Sequence, residues 1–289
     1  MMNSRKYIDY LFKNLFFISM LISILFLLLI GFYLFYKSLN VFQNIPIKEF
    51  LFSSNWNPSA KEKAFGIFPM ILTSLYVTIG AILISTPLSI ICAIYLNEFA
   101  DKKLKIFSNY IISLLVAIPS VVYGLTASVV FFNLGLGFSI LSAILILSFM
   151  LMPTIISISK DALKMVAEDL KQGSASLGAN KIQIISTIII PSAKNGIFAA
   201  VLLALGRAFG ETMAVKMVIG NIQTSPDFSY KTFFGLLSPA RTLTTNIISD
   251  IEYAQDDLHI SALFATGLVL FIITALTNYI AHKIFFRNR

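Results

Sequence analysis

The fold is decided by IFSNYIISLLVAIPSVVYGLTASVVFFNLGLGFSILSAILILSFMLMPTIISIS, residues 106–159, a run of 54 residues without a charged side chain. A transmembrane helix needs about 20 apolar residues, so this run is long enough for two. Near its middle lies Asn133-Leu134-Gly135-Leu136-Gly137, whose asparagine and glycines favour a tight turn. The run therefore predicts two membrane-spanning helices joined by a short hairpin.

Further apolar runs lie on both sides of this one. With them, the chain predicts six transmembrane helices, near residues 14–37, 67–97, 107–131, 138–158, 196–219 and 260–281. Hydrophobic residues make up 57% of the 289 residues, charged residues only 12%, and the mean hydropathy is +0.83. One soluble core cannot bury so much apolar surface. The predicted fold class is therefore an all-α polytopic membrane protein.

Composition and motifs exclude several other classes. The single cysteine, Cys92, lies in an apolar run, and His259 and His282 are far apart, so neither a disulfide framework nor a metal site is expected. The chain contains no Walker A sequence, nucleophile elbow, HExxH or GxGxxG behind a strand, so we expect no catalysis and no cofactor in this chain. The net charge of +8 does not indicate nucleic acid, because the lysines and arginines lie at the ends of apolar runs.

Charge asymmetry predicts the orientation. If the N-terminus is cytoplasmic, the inner segments carry 14 lysines and arginines and the outer segments carry six, which favours both termini inside. Basic residues before the first apolar run, and its length, indicate an uncleaved signal anchor. The predicted organisation is a signal-anchor helix with an outer segment (1–66), a transmembrane core (67–283) containing a cytoplasmic loop (160–194), and a cytoplasmic tail (284–289).

Three predicted helices contain a proline: Pro87, Pro119 and Pro153. Each removes a backbone hydrogen bond and favours a kink, which serves either packing or a transport path. Pro119 is followed by Ser120, Tyr123 and Gly124, so small and hydroxylated residues lie at this break. Ser120 and Tyr123 are therefore candidate pathway residues.

Two opposite charges interrupt the fifth apolar run, in Gly206-Arg207-Ala208-Phe209-Gly210-Glu211-Thr212. An ionisable residue at a bilayer centre costs roughly 2.5 to 3.5 kcal/mol, so such a pair is a functional hypothesis by default. In a continuous helix Arg207 and Glu211 share one face, and Lys216 lies on the opposite face, where it reaches toward the outer interface. The pair either contacts an anion in transit or pins this helix to its neighbours. Gly206 and Gly210 are spaced for close helix packing.

Two segments between the runs are more polar. Residues 160–194, here called the elbow, carry apolar residues at helical spacing on both sides of Gly178 and predict a cytoplasmic helix–turn–helix. Residues 221–258 carry five acids against Lys231 and Arg241. We expect this outer segment to be exposed, either as a connector or as a docking surface.

The elbow resembles the EAA loop of ABC importer permeases. The resemblance lies in Gln172-Gly173-Ser174-Ala175-Ser176-Leu177-Gly178 and, nine residues later, Ile188-Ile189-Ile190-Pro191. Small residues let a short helix lie in a groove of another protein, glycine permits the turn, and the proline is expected to start the next helix. Gln172, Gly173 and Ser174 stand where that family usually has Glu-Ala-Ala. The resemblance implies a dock for an ATPase.

A second resemblance covers nearly the whole chain. The stretch Arg207-Ala208-Phe209-Gly210-Glu211-Thr212-Met213-Ala214-Val215, closed by Gly220-Asn221, is similar to the signature of PstC-type permeases of bacterial phosphate importers. Residues 55–58 (NWNP), 119–124 (PSVVYG) and 241–246 (RTLTTN) support it. Lys216 departs from the apolar residue expected there.

The second resemblance implies a type I ABC importer permease in the bacterial cytoplasmic membrane. Its expected partners are a PstA-like second permease, a PstB-like ATPase dimer that binds the ATP, a PstS-like phosphate-binding protein and the lipid bilayer. We expect Arg207 to contact phosphate, Glu211 to set the strength of that contact, and Thr212, Ser120 and Tyr123 to line the path. The alternatives are an ABC permease for another oxyanion, such as molybdate or sulfate, and a secondary anion transporter.

Overall fold

The computed structural model describes the backbone of residues 2–222 and 235–286 and the side chains of residues 9–222 and 235–283. The predicted tail, 284–289, therefore lies outside the described side chains. The helices are α1 (Met2–Asn44), α2 (Ile47–Phe52), α3 (Phe68–Glu98), α4 (Lys102–Ala117), α5 (Ser120–Asn133), α6 (Ile140–Lys164), α7 (Glu168–Ser176), α8 (Lys181–Ile184), α9 (Ile190–Gly210), α10 (Met213–Ile219), α11 (Leu243–Asp250) and α12 (Asp257–Phe286). A π-helical turn, Ile185–Ile189, joins α8 to α9. Strands β1 (Trp56–Asn57) and β2 (Ala64–Phe65) form an antiparallel hairpin that pairs Trp56 with Phe65.

Five helical segments in the described chain are long and apolar enough to cross a membrane: Asp9–Asn44, Phe68–Glu98, Ile140–Lys164, Lys181–Gly210 and Asp257–Lys283. The pair α4 and α5 supplies a sixth span if it is counted as one. The all-α, six-span prediction is thereby confirmed. The predicted hairpin is also present, because Gly135 and Gly137 take φ values of +76° and +59° and Ser139 caps α6 at the Ser142 amide.

The predicted third span is not a single straight helix. The axes of α4 and α5 differ by 94°, and the break falls at Ile118 and Pro119. Proline has no amide hydrogen and disfavours helical backbone in the residue before it. Accordingly, Ile118 is extended, with ψ of 127°.

The predicted span 196–219 is also wrong in its bounds. The helix that carries Arg207 runs from Lys181 through the π-helical turn and stops at Gly210. Glu211 is extended, with φ of −73° and ψ of 115°, and α10 begins two residues later. The short helix α10 packs against α5 and α6.

The core is built around α6, which packs against α3, α9, α5 and α10. Glycines set two of these approaches. A Cβ on Gly80 of α3 would lie 2.8 Å from Ile144 Cδ1, and one on Gly196 of α9 would lie 2.4 Å from the Ala162 Cβ. Small residues allow helices to come this close in a membrane.

The N-terminal helix α1 packs against α12. The Ser261 hydroxyl accepts from the Val41 amide at 2.9 Å and donates to the Lys37 carbonyl at 2.8 Å. Most apolar side chains of α1 are exposed, as expected for a face toward lipid. The predicted division at residues 66 and 67 stays a prediction.

The outer segment 221–258 is less exposed than predicted. Residues 240–246 are buried, and the Leu243 amide donates to the Ser74 hydroxyl of α3 at 2.9 Å. Among the described residues of this segment, the exposed ones are Ile222, Leu237, Ile251, Glu252, Tyr253, Gln255 and Asp257. Asp227 and Lys231, which contributed to the predicted charge of this segment, lie outside the described residues.

Candidate functional site

Arg207 lies in the last turn of α9 and is half-buried. Its Nη1 donates to the Thr154 hydroxyl of α6 at 3.2 Å. Thr154 directly follows Pro153, inside the α6 span. The guanidinium also acts electrostatically on the Tyr123 hydroxyl of α5. Residues from two other spans therefore act on this cationic side chain.

Tyr123 fastens the bend between α4 and α5. Its hydroxyl donates to the Leu115 carbonyl of α4 at 2.8 Å, and that carbonyl belongs to the last turn of its helix. Carbonyls in a last turn have no partner within their own helix. Ser120, the other predicted pathway residue here, is the first residue of α5 and is half-buried. Ser120 and Tyr123 therefore both lie at the break after Pro119, and their role in a pathway stays a prediction.

Glu211 is not the partner of Arg207. Within the part of the chain that the structure describes, the two side chains form no ion pair. The shared-face prediction assumed a continuous helix, but the backbone leaves the helix at Glu211. The same break removes the basis for placing Lys216 opposite Arg207; its expected reach to the outer interface stays a prediction.

Glu211 instead lines a small cavity between α3, α9 and α11. Four hydroxyl side chains share this cavity: Ser74, Thr78, Thr242 and Thr244. Thr212, the remaining predicted pathway residue, donates its hydroxyl to the Gly210 carbonyl at 3.1 Å. The two charged residues of the motif therefore have different polar neighbours. Arg207 contacts Thr154, and Glu211 lies among hydroxyl side chains.

Gly206 and Gly210 do not mediate close packing among the described residues. A Cβ on Gly210 would meet nothing within 4 Å, and one on Gly206 would meet only the Asn278 amide nitrogen at 3.8 Å. The prediction that they serve helix contact is wrong within this chain. Gly124 has that role instead, since a Cβ there would lie 2.8 Å from the Ala214 Cα of α10.

The sequence analysis missed a buried polar cluster on the predicted outer side. Arg241 Nη1 donates to Asn246 Oδ1 at 2.8 Å and to Asp250 Oδ1 at 2.9 Å, and Trp56 Nε1 donates to Asp250 Oδ2 at 2.7 Å. His259 Nε2 lies 3.7 Å from the same carboxylate. Arg241 and Asp250 are 9% and 8% exposed, so this is a buried ion pair. The feature of the sequence that indicates this cluster is the i, i+4 spacing of Asn246 and Asp250, which puts them on one face of a helix.

The elbow forms the predicted helix–turn–helix, from α7 through Gly178 to α8. Gly178 takes φ of +85°, and Asn180 starts α8 with a capping box completed by Gln183. Leu177, at the turn, is 90% exposed, and Gln172 and Gly173 are exposed beside it. Ser174 is half-buried, with its hydroxyl bonded to the Leu170 carbonyl. The tip of the elbow thus presents an exposed apolar side chain among small residues.

Pro191 lies in the first turn of α9, as predicted, but this helix is not separated from the one before it. Helical backbone continues from Lys181 through the π-helical turn to Gly210. A π-helical turn leaves backbone groups out of the ordinary i to i−4 pattern, so the missing proline amide is tolerated there. The second arm of the elbow, α8, is therefore continuous with the helix that carries Arg207.

The chain matches the family described as "Binding-protein-dependent transport system inner membrane component" over residues 85–288. It is 40% identical over 236 residues to a probable ABC transporter permease, YqgH, of Bacillus subtilis, which covers 79% of this chain and 74% of that protein. It is 33% identical to the phosphate transport system permease PstC of Mesorhizobium japonicum, over 82% of this chain and 78% of that one. A probable PstC of Methanocaldococcus jannaschii is 30% identical over 90% and 87% of the two chains.

Solved structures agree on the fold. A bacterial alginate ABC transporter in complex with an alginate-bound periplasmic protein matches with a TM-score of 0.67 at 16% identity, over 94% of both chains. The inward-facing methionine transporter MetNI matches with a TM-score of 0.55 at 18% identity, over 76% of this chain and 92% of that one. At such identities the likeness is one of fold.

Proposed function

The chain belongs to the family of binding-protein-dependent transport system inner membrane components, and from that premise we propose that it is the permease subunit of an ATP-driven importer of inorganic phosphate. It is a multi-pass membrane protein with the fold of type I ABC importer permeases. Relatives that carry phosphate in their names are 30–33% identical over most of their length. They support phosphate as the substrate.

One observation carries the assignment of the pathway: the half-buried Arg207 guanidinium at the end of α9, held by Thr154 and facing Tyr123. A guanidinium presents a planar fork of donors that matches phosphate oxygens. In a low-dielectric span it is a strong attractor for an anion. We propose that phosphate in transit contacts Arg207 there.

Release requires that this contact stay weak. The Thr154 hydroxyl holds Arg207 between passages and competes with the ion for its donors. Glu211, four residues further along the chain, adds a negative charge beside the hydroxyl-lined cavity. We propose that repulsion from this carboxylate prevents the anion from being trapped.

The exposed elbow and the charge bias support an assembly of this chain with the other subunits of an importer. We propose that the exposed tip at Leu177 docks on a PstB-like ATPase dimer, that a PstA-like permease completes the pathway, and that a PstS-like protein delivers phosphate. Hydrolysis of ATP then belongs to the separate ATPase, and this chain binds no cofactor of its own. We also propose that both termini are cytoplasmic, which the lysine and arginine bias supports.

The test is phosphate uptake by the complete importer in proteoliposomes, with Arg207→Gln against Lys216→Gln. Arg207→Gln removes the charged guanidinium and its hydrogen-bond donors, so we expect uptake to fall by at least about tenfold. Lys216→Gln removes a cation from the neighbouring helix α10 and should keep nearly the wild-type rate. Equal uptake by Arg207→Gln and wild type would remove Arg207 from the pathway. If the wild-type importer takes up sulfate or molybdate and not phosphate, the proposed substrate is wrong.

A further inference from the structure

The inner end of α3 holds a largely buried carboxylate, Glu98, whose side chain is 12% exposed. Lys171 of α7 lies 3.3 Å from Glu98 Oε1 and is itself 18% exposed. The Asn97 side-chain amide donates to the same oxygen at 2.7 Å. An ion pair this far from water interacts more strongly than one on the surface.

Two further lysines bind the backbone at the same place. Lys181 of α8 donates to the Glu98 carbonyl at 2.6 Å and lies 4.4 Å from the centre of the Phe99 ring. Lys105 of α4 donates to the Asn97 carbonyl at 2.9 Å. The last carbonyls of a helix carry partial negative charge, so cations are stabilising there. The end of α3 is therefore held by three lysines from three helices.

Both arms of the elbow take part. Lys171 belongs to the arm before Gly178 and Lys181 to the arm after it, while the tip at Leu177 points away and is 90% exposed. The inner half of α3 also packs beside the π-helical turn, where Ala93, Leu96, Ile185 and Ile189 share one apolar cluster. The elbow is thus attached to α3 by noncovalent contacts, in addition to its attachment to α9 along the chain.

We propose that Glu98 is a positioning residue for energy coupling: with Lys171 and Lys181 it clamps the elbow to α3, so that a pull on the elbow moves α3 and α9 together. The consequence reaches the pathway because α3 carries Ser74 and Thr78 at the Glu211 cavity, while α9 carries Arg207. Movement through α9 alone would separate these two places. This proposal rests on the proposed function as a subunit of an ATP-driven importer.

The first test compares Glu98→Gln with Glu168→Gln in the complete importer, measuring anion uptake and ATP hydrolysis in the same proteoliposomes. Glu168 is a matched control, because it also approaches Lys171, at 3.6 Å, but is 67% exposed. We expect Glu98→Gln to hydrolyse ATP but to lower uptake per ATP by about fivefold or more, and Glu168→Gln to leave the ratio unchanged. An unchanged ratio in Glu98→Gln overturns the clamp.

A second test replaces the Glu98–Lys171 ion pair by a covalent link and compares the same importer before and after linking. Glu98→Cys with Lys171→Cys, in a Cys92→Ser background, is joined by a short, reversible thiol cross-linker. The open form should couple poorly, and cross-linking should return uptake per ATP to within about twofold of the Cys92→Ser parent, since the bond replaces the ion pair. A cross-linked importer that stays uncoupled, or stops, shows that the elbow must move relative to α3 and overturns the proposal.

Failure of the clamp is separable from failure of the proposed function. The coupling ratio is measured with whichever oxyanion the wild-type importer carries, so a substrate other than phosphate leaves the test intact. A wild type whose uptake is independent of the ATPase refutes the importer function itself, and no coupling ratio then exists.

Discussion

At the scale of one residue, the hydrogen-bond partner of Arg207 is set by proximity in the fold and not by proximity along the chain. Glu211 is four residues away in the chain, yet Arg207 bonds Thr154, which is 53 residues away. The choice follows from the end of α9 at Gly210, which turns the carboxylate toward Ser74 and Thr242. A neutral hydroxyl leaves the cation's charge uncompensated at close range, which favours an anionic ligand.

Gly220 is a residue at which one added methyl group would meet both backbone strain and a close neighbour. Its φ is +94°, and a Cβ would lie 2.7 Å from the Pro239 Cβ, so Gly220→Ala combines backbone strain with a clash. We predict a loss of about 2 to 4 kcal/mol, seen as a lower thermal unfolding midpoint in detergent.

Gly135→Ala is the control for that substitution. Gly135 has φ of +76° but nothing within 4 Å of a Cβ, so it isolates the strain, expected at about 1 kcal/mol. If both variants lower the midpoint equally, the close approach of Pro239 to Gly220 has no energetic weight.

At the scale of the element, the bend between α4 and α5 is the feature that most changes the predicted span. Pro119 prevents a straight continuation, and Tyr123 satisfies the Leu115 carbonyl that the break leaves open. The 94° angle places α5 against α10, where Gly124 lets the two helices touch. A broken span of this kind can line a cavity, since open backbone groups are tolerated only beside protein or water.

Tyr123→Phe tests the bend. Loss of the hydroxyl leaves the Leu115 carbonyl without that donor, which we expect to cost about 1 kcal/mol and to lower phosphate uptake because the neighbour of Arg207 changes. Tyr110→Phe is the matched control, as Tyr110 is 69% exposed on α4. Both the unfolding midpoint and uptake are measured. Identical behaviour of the two variants would contradict a role for Tyr123 in holding the bend.

At the scale of the whole molecule, two polar clusters hold distant segments together at opposite ends. On the predicted outer side, Asp250 joins β1, α11 and α12 through Trp56, Arg241 and His259. On the predicted inner side, Glu98 joins α3 to the elbow. Between the two clusters, α6 packs closely against α3 at Gly80 and against α9 at Gly196.

Asp250→Asn tests the outer cluster. It removes the charge that balances buried Arg241, and we predict a loss of about 3 kcal/mol, measured as a lower unfolding midpoint of the purified protein. Asp256→Asn is the control: the hydrogen bond from Lys63 lowers the pKa of this carboxyl, so the carboxyl is ionised at neutral pH, but the pair is exposed and should contribute little. A larger effect at Asp256 than at Asp250 would show that burial does not set the strength of these pairs.

The number of spans, the hairpin at Gly135 and Gly137, the elbow around Gly178 and the family resemblance were all available from the sequence, because hydropathy, turn chemistry and motif spacing are properties of neighbouring residues. The break of α9 at Gly210, the sharp bend at Pro119 and the burial of Arg241 and Asp250 were decided only by the tertiary structure. A helix ends where packing of the following residues against other helices is more favourable than one more helical turn. Here the residues after Gly210 form α10, which packs against α5. Likewise, the partner of a charge is the group that folding brings within 3 or 4 Å, whatever its distance along the chain.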